Sequence, residues 1–197
     1  MWPWGHLAFA YLAYRGWDLL RGRRSIADEV VLALGVGALL PDLIDKPLAW
    51  SVTLLPSGRS LSHSMLTIGL VGLVLAGLLQ RSDRPRLAGA AYFGWASHTV
   101  ADAVPGLVAG EIEAVFFWNW PLAPHPVYRM DEAFLPHFAR LGDNLGALAA
   151  GEFGRAGWLG YEVLLVLVAA MVWFVDGWPG LRPALEWVRG GLGAEGP

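Results

Sequence analysis

Residues 65–79 read MLTIGLVGLVLAGLL, without one charged side chain. A helix with no polar face cannot sit half in water, so this run predicts a membrane-embedded span. A second run, Trp158 to Val175, carries only Glu162 as a charge and predicts another. Working outward, three further stretches read as spans: Gly5 to Leu20, interrupted by Arg15 and Asp18; Val30 to Leu40; and Leu87 to Val104, which contains His98 and Asp102. The expected fold is all-α, an integral membrane helical bundle of five transmembrane helices plus an amphipathic or interfacial segment.

Composition agrees with that setting. Of 197 residues, 55% are hydrophobic and 16% charged, where a soluble domain has about a quarter charged. The length suits a single domain, here 1–178, with 105–157 as an interfacial insertion and 179–197 as a partly ordered tail. The net charge of −3 and the absence of a basic block argue against nucleic acid as a partner and leave membrane lipids. With no cysteine, disulfides, thiolate metal sites and cysteine nucleophiles are excluded, whereas histidine and carboxylate chemistry stays open. The opening Met1-Trp2-Pro3-Trp4-Gly5-His6 lacks a basic leader and cleavage site, so the first helix is expected to stay attached.

Helix punctuation follows familiar rules. Asp83 before Pro85 marks the fourth start, Ser60 or Ser62 caps the third, and Pro41 and Pro47 close the second. Between the fourth and last helices, Pro105 to Gly157 is too polar to span, with one amphipathic helix expected over Asp131 to Ala150. Ala114 to Leu122 is aromatic and short, suited to packing or anchoring at the interface.

Arginine placement orients the bundle, because short cytoplasmic loops accumulate Lys and Arg. Arg21, Arg23 and Arg24, then Arg81, Arg84 and Arg86, then Arg182 and Arg189 fall on one side of a five-helix chain. The amino terminus is therefore expected outside and the carboxy terminus in the cytoplasm.

On that outer side lie His6 opening the first helix, Asp42 and Asp45 closing the second, His63 opening the third, and His98 with Asp102 closing the fourth. Ionisable groups near hydrocarbon cost roughly 2.5–3.5 kcal/mol each and are by default paired or functional. His98 and Asp102 stand four apart, on one helix face, able to hold a single ion. Nitrogen and carboxylate ligands without sulfur suit zinc, or another divalent ion such as manganese or iron, rather than calcium, and zinc, as one or two ions, is the expected cofactor. Each residue also has a plainer reading: Asp102 accepting from His98, Asp45 paired to Lys46, His6 as an interfacial side chain. An ion with an open position acidifies water and polarises an ester or phosphoryl oxygen. A neighbouring carboxylate, Asp42 or Asp45, then takes the proton, and Arg59 clamps an anionic oxygen. The same ligands also suit a non-catalytic metal-binding or metal-transporting protein, or a structural adaptor, although the apolar middles around Gly72 and Leu167 speak against transport.

The ordered set of Gly5-His6, Gly37-Ala38-Leu39-Leu40-Pro41-Asp42 with Asp45, Arg59 through Ser62-His63-Ser64, and Gly94-Trp95-Ala96-Ser97-His98 followed by Asp102 resembles the YdjM-like family over roughly residues 4 to 122. That family is described as inner-membrane metal-dependent hydrolases. The chain has Lys46 where members often carry a His after the second Asp, and Gly58 where a His precedes the Arg. The order of ligands is also similar, more distantly, to helical zinc-dependent phospholipase C and P1-type nuclease enzymes. This second resemblance implies a phosphoester substrate, one ion on His63, His98, Asp102 and Asp42, and a second ion on Asp102 and His6, with Asp42 doubling as base. His125 and His137 are positional candidates only for its remaining ligands.

Overall fold

The computed structural model describes residues 1–79, 83–123 and 134–181. In chain order its elements are α1 (Pro3–Leu20), α2 (Asp28–Trp50), α3 (Met65–Leu79), α4 (Pro85–Val108), a 3-10 stretch (Ile112–Asn119), α5 (Phe134–Ala149), the single turn α6 (Phe153–Ala156) and α7 (Leu159–Val175). Among the described residues there is no strand, so the chain is all-α. The expected amphipathic helix is α5, its first three expected positions lying outside the described residues.

Helix α1 is central, packing against α2, α4 and α7, while α2 and α4 form the closest pair. That closeness has a local cause. A methyl group at Gly37 of α2 would collide with the Ala91 carbonyl of α4, and one at Gly94 of α4 would collide with the Leu34 carbonyl of α2. Two glycines facing opposite ways thus let the backbones nearly touch. Around them the core is built from small and medium side chains: Ala10, Tyr11, Tyr14, Val30, Leu34, Ala38 and Ala90.

Three boundaries differ from expectation. Helix α2 does not close at Pro41 but runs through Pro41 and Pro47 to Trp50. A proline in a helix interior loses one hydrogen bond and crowds the preceding turn, yet the tight seam with α4 carries α2 onward. Asp42 and Asp45 are therefore three apart on a helix rather than in a loop. Helix α3 is capped by Ser64, whose hydroxyl accepts the Leu66 N–H at 3.2 Å, not by Ser60 or Ser62. At the start of α4, Arg84 occupies the cap position and no side chain caps the helix, so Asp83 plays no capping part.

The five expected spans are not found: among the described residues, no helix is long and apolar enough to cross a membrane. The apolar helices are short. At about 1.5 Å per residue, α3 with 15 residues and α7 with 17 reach roughly 22 and 26 Å, against about 30 Å of hydrocarbon. The longer α1, α2 and α4 are diluted by Arg15, Asp18, Asp42, Asp45, His98 and Asp102, all buried. Their outer faces are apolar nonetheless, with Leu70, Leu73 and Leu78 on α3 and Leu164, Leu167, Met171 and Phe174 on α7 exposed.

At the end of the bundle away from His6, Arg15 Nε and Nη2 grip the Asp176 carboxylate at 2.7 and 2.8 Å. The Tyr11 hydroxyl donates to the same group at 2.7 Å. Nearby, buried Asp18 holds Arg23 and Arg86. Burial pushes the Asp176 carboxyl up, but the bonds from Arg15 and Tyr11 outweigh it and hold the group below the usual carboxylate range.

Gly94→Ala is expected to lower stability by about 1–3 kcal/mol through overpacking. Gly69→Ala, on α3 with open space around it, should be neutral or stabilising by up to about 1 kcal/mol; thermal unfolding of the two variants in detergent checks the contrast. Because the folded carboxyl of Asp176 titrates low, its contribution is present at neutral pH and is lost as the pH falls below about 4. Asp176→Asn should accordingly lower the Tm at neutral pH, and the gap from the unmodified chain should close on acidification.

A candidate metal centre

Three parts of the chain bring their polar residues to one place. The second half of α2 supplies Asp42, the turn before α3 supplies His63, and the second half of α4 supplies His98 and Asp102. One ligand atom from each of these four lies within 4.8 Å of the others. His63 Nε2 and His98 Nε2 are 3.1 Å apart. Asp42 Oδ1 stands 3.7 Å from the first and 3.6 Å from the second, and Asp102 Oδ2 stands 3.6 and 3.9 Å from them. Both imidazoles are completely buried.

The far sides of the rings fix which nitrogen is free. His98 Nδ1 lies 2.6 Å from the Ala38 carbonyl oxygen, which can only accept, so Nδ1 carries the proton. His63 Nδ1 lies 2.8 Å from Asp45 Oδ2 and donates likewise. Both Nε2 atoms then present lone pairs to the same small space. Asp42 divides its oxygens: Oδ2 holds Lys46 Nζ at 2.5 Å, while Oδ1 is buried with no hydrogen-bond partner. Two facing nitrogen lone pairs and an orphaned carboxylate oxygen ask for a cation between them. Two nitrogens and two oxygens also match a zinc ligand set, so the residues fit the ion that the sequence suggested.

Asp45 stands apart from this group, behind His63. Its carboxylate is fully buried and accepts the Ser60 N–H at 2.8 Å and the Ser62 N–H at 2.9 Å besides the imidazole. The expected Asp45–Lys46 pair is not formed, because helix geometry places Lys46 one turn beyond Asp42 and beside it instead. Arg59 Nε lies 2.8 Å from Asp102 Oδ2, on the rim of the cluster. His6 is not among the four: its ring stacks on His98 at 3.6 Å, and Nε2 is 3.3 Å from Asp102 Oδ1. Neither His6 nitrogen has a hydrogen-bond partner. The Met1 ammonium lies 2.8 Å from that same Asp102 oxygen. His125 lies outside the described residues, and His137 falls on α5.

Sequence reasoning missed the wall of this site. The 3-10 stretch folds over it, with Phe117 edge-on to His63 at 6.1 Å and the Trp120 carbonyl accepting the Ser64 hydroxyl at 2.5 Å. The Trp95 indole donates to the Ser62 carbonyl at 2.6 Å, tying the His63 turn to α4. The aromatic run from Val115 to Trp120 was the available signal, and it reads equally as a membrane anchor.

The protein is a helical bundle with paired imidazoles and carboxylates buried at one end, a group that could hold a metal ion. The chain belongs to the YdjM inner membrane protein family, which it matches over residues 1–178. No curated protein and no solved structure matches it, and the likeness to phospholipase C and P1-type nucleases stays an expectation of the sequence.

Asp45→Asn turns one accepting oxygen into a donor facing N–H groups. Metal affinity is expected to fall about 10–100-fold, as for other partners of ligating histidines. Competition with a chromogenic chelator measures this, and an unaltered affinity would show that His63 does not depend on Asp45.

Proposed function

We propose that this protein is a zinc-dependent hydrolase of phosphoesters, working at the outer face of the inner membrane with its carboxy terminus in the cytoplasm. The observation that carries the reading is the buried meeting of His63 Nε2, His98 Nε2, Asp42 Oδ1 and Asp102 Oδ2, all within 4.8 Å. Family membership and the apolar outer faces of α3 and α7 support the membrane setting. An ion held there supplies Lewis-acid chemistry, lowering the pKa of water toward about 7 and drawing charge from a phosphoryl oxygen.

The chain's own residues divide the remaining work. Asp45 and the Ala38 carbonyl hold the two imidazoles in the tautomer that frees Nε2. Asp42 accepts a proton from water, a role supported by its Oδ1, which is buried without a hydrogen-bond partner; Asp45, with its oxygens committed to Ser60, Ser62 and His63, serves as a positioning residue. Arg59, on Asp102 at the rim, is placed to hold an anionic oxygen of the substrate. Phe117 and the surrounding buried side chains keep bulk water from His63.

A second reading, in which the cluster only ties helix ends together, is favoured by the ion pairs Lys46–Asp42 and Arg59–Asp102. Metal analysis separates the two. After chelation and controlled re-addition, the unmodified protein should bind divalent metal in stoichiometric amounts and the His98→Ala, Asp102→Ala double variant should not. A panel of phosphodiesters, phospholipids and carboxylic esters should reveal a substrate whose turnover falls to background in His63→Ala. Folding retained after chelation, with no divalent affinity, would establish the tying role instead.

A further inference from the structure

Next to the cluster a polar cleft of about 340 Å³ opens between α2, the turn before α3 and α5, with Lys46, Arg59 and Arg140 on its walls. Two of these cations already touch the cluster, Lys46 on Asp42 and Arg59 on Asp102. Arg140, on α5, brings the third from the opposite wall. Trp158 closes the cleft, and its indole N–H is buried with no hydrogen-bond partner. Glu162 is the opposing carboxylate, and one of its oxygens is engaged by the Trp2 N–H at 3.0 Å. Arg140, together with the paired Lys46 and Arg59 and an indole donor in want of an acceptor, against the engaged Glu162, describes a space suited to an anion.

A second cavity adjoins the first. This slot, about 210 Å³, shares Trp2, Lys46 and Trp50 with the cleft and is otherwise apolar, reaching Leu43, Pro47 and Phe138 and ending on Asp42. Trp2 anchors the shared wall by stacking on Trp4 at 5.3 Å and meeting Phe138 at 5.8 Å. Lys46 lies over the Trp50 ring at 5.6 Å and lines both the cleft and the slot.

We infer that cleft and slot together form the substrate site, in which Lys46, Arg59 and Arg140 hold the phosphate of a phosphorylated amphiphile and the slot holds the start of its apolar chain. This rests on the hydrolase reading for its chemistry, but the binding site is defined by its own residues. The charge is placed beside the two candidate ligand carboxylates, so a phosphate gripped there lies at the edge of the cluster. A soluble phosphate compound would fill the cleft and leave the slot empty; an uncharged lipid would bring no anion to the cleft where Lys46, Arg59 and Arg140 meet.

The test uses the full chain in detergent, titrated with short-chain phosphatidic acid, with glycerol 3-phosphate and with inorganic phosphate, followed by calorimetry. Phosphatidic acid should bind saturably, and Arg140→Gln and Lys46→Gln should each weaken it about 10–100-fold, the range of one charge-assisted contact. Phe138→Ala should weaken the lipid and leave glycerol 3-phosphate unaltered. Metal content measured on the same samples reports separately on the cluster. Intact metal binding with equal lipid affinity in Arg140→Gln and in the unmodified chain would overturn the inference and leave the hydrolase reading standing. Glycerol 3-phosphate binding as tightly as the lipid would overturn the amphiphile as occupant. Absence of metal together with Arg140-dependent lipid binding would remove the hydrolase reading and uphold the site.

Discussion

The seam between α2 and α4 is the constraint on which the remainder depends. Gly37 and Gly94 remove the side chains that would hold the two backbones apart, and the main chains come close enough for His98 to reach the Ala38 carbonyl across the gap. That single bond sets the imidazole tautomer on α4, while Asp42, one turn further along α2, faces the same space. Close packing and polar chemistry are thus one feature: without the glycines neither the bond nor the meeting of Asp42 with His98 could exist.

A second constraint acts on the turn before α3. Its residues 57–64 form no regular element, yet Ser57, Ser60, Ser62, His63 and Ser64 are all buried. Buried irregular backbone needs partners for its N–H groups, and Asp45 supplies them for Ser60 and Ser62 while orienting His63. One carboxylate therefore both shapes the turn and aims the imidazole it carries. Removing it would disturb folding and metal affinity together, which is why the conservative amide replacement is the informative one.

How much of this the sequence disclosed depends on range. Hydropathy located every long helix, because an apolar run of such length has few alternatives, and the four-residue spacing put His98 and Asp102 on one helix face, where an ion and a plain hydrogen bond read alike. Local rules failed where tertiary packing overrode them. Pro41 and Pro47 read as stops, but α2 continues through both, and that continuation turns Asp42 and Asp45 from loop acids into residues of one helix face. Ser60 and Ser62 drew notice for their hydroxyls as caps, whereas their backbone N–H groups serve Asp45. The bonds of Asp45 and the stacking of His6 on His98 are contacts between residues distant in the chain, and no periodicity encodes them, nor the placing of Arg140 and Lys46 on one cleft. The expected spans failed for a different reason: polar groups needed at the helix ends lower the apolarity of the very helices long enough to cross.

Helix α1 is fastened near both of its ends to different neighbours. Its first turn lays His6 flat against His98 of α4, and its last two turns lock through Arg15 onto Asp176 beyond α7. Between these fastenings lie Ala8, Ala10 and Ala13 among larger apolar side chains, and apolar packing by itself sets the axial position of a helix less sharply than directed polar contacts do. A slip of one turn, about 5.4 Å, would break the ring stack and the guanidinium fork at once, so the two together act as a vernier on the axial position of α1. The imidazole at one end is thereby kept in step with an arginine nine residues away.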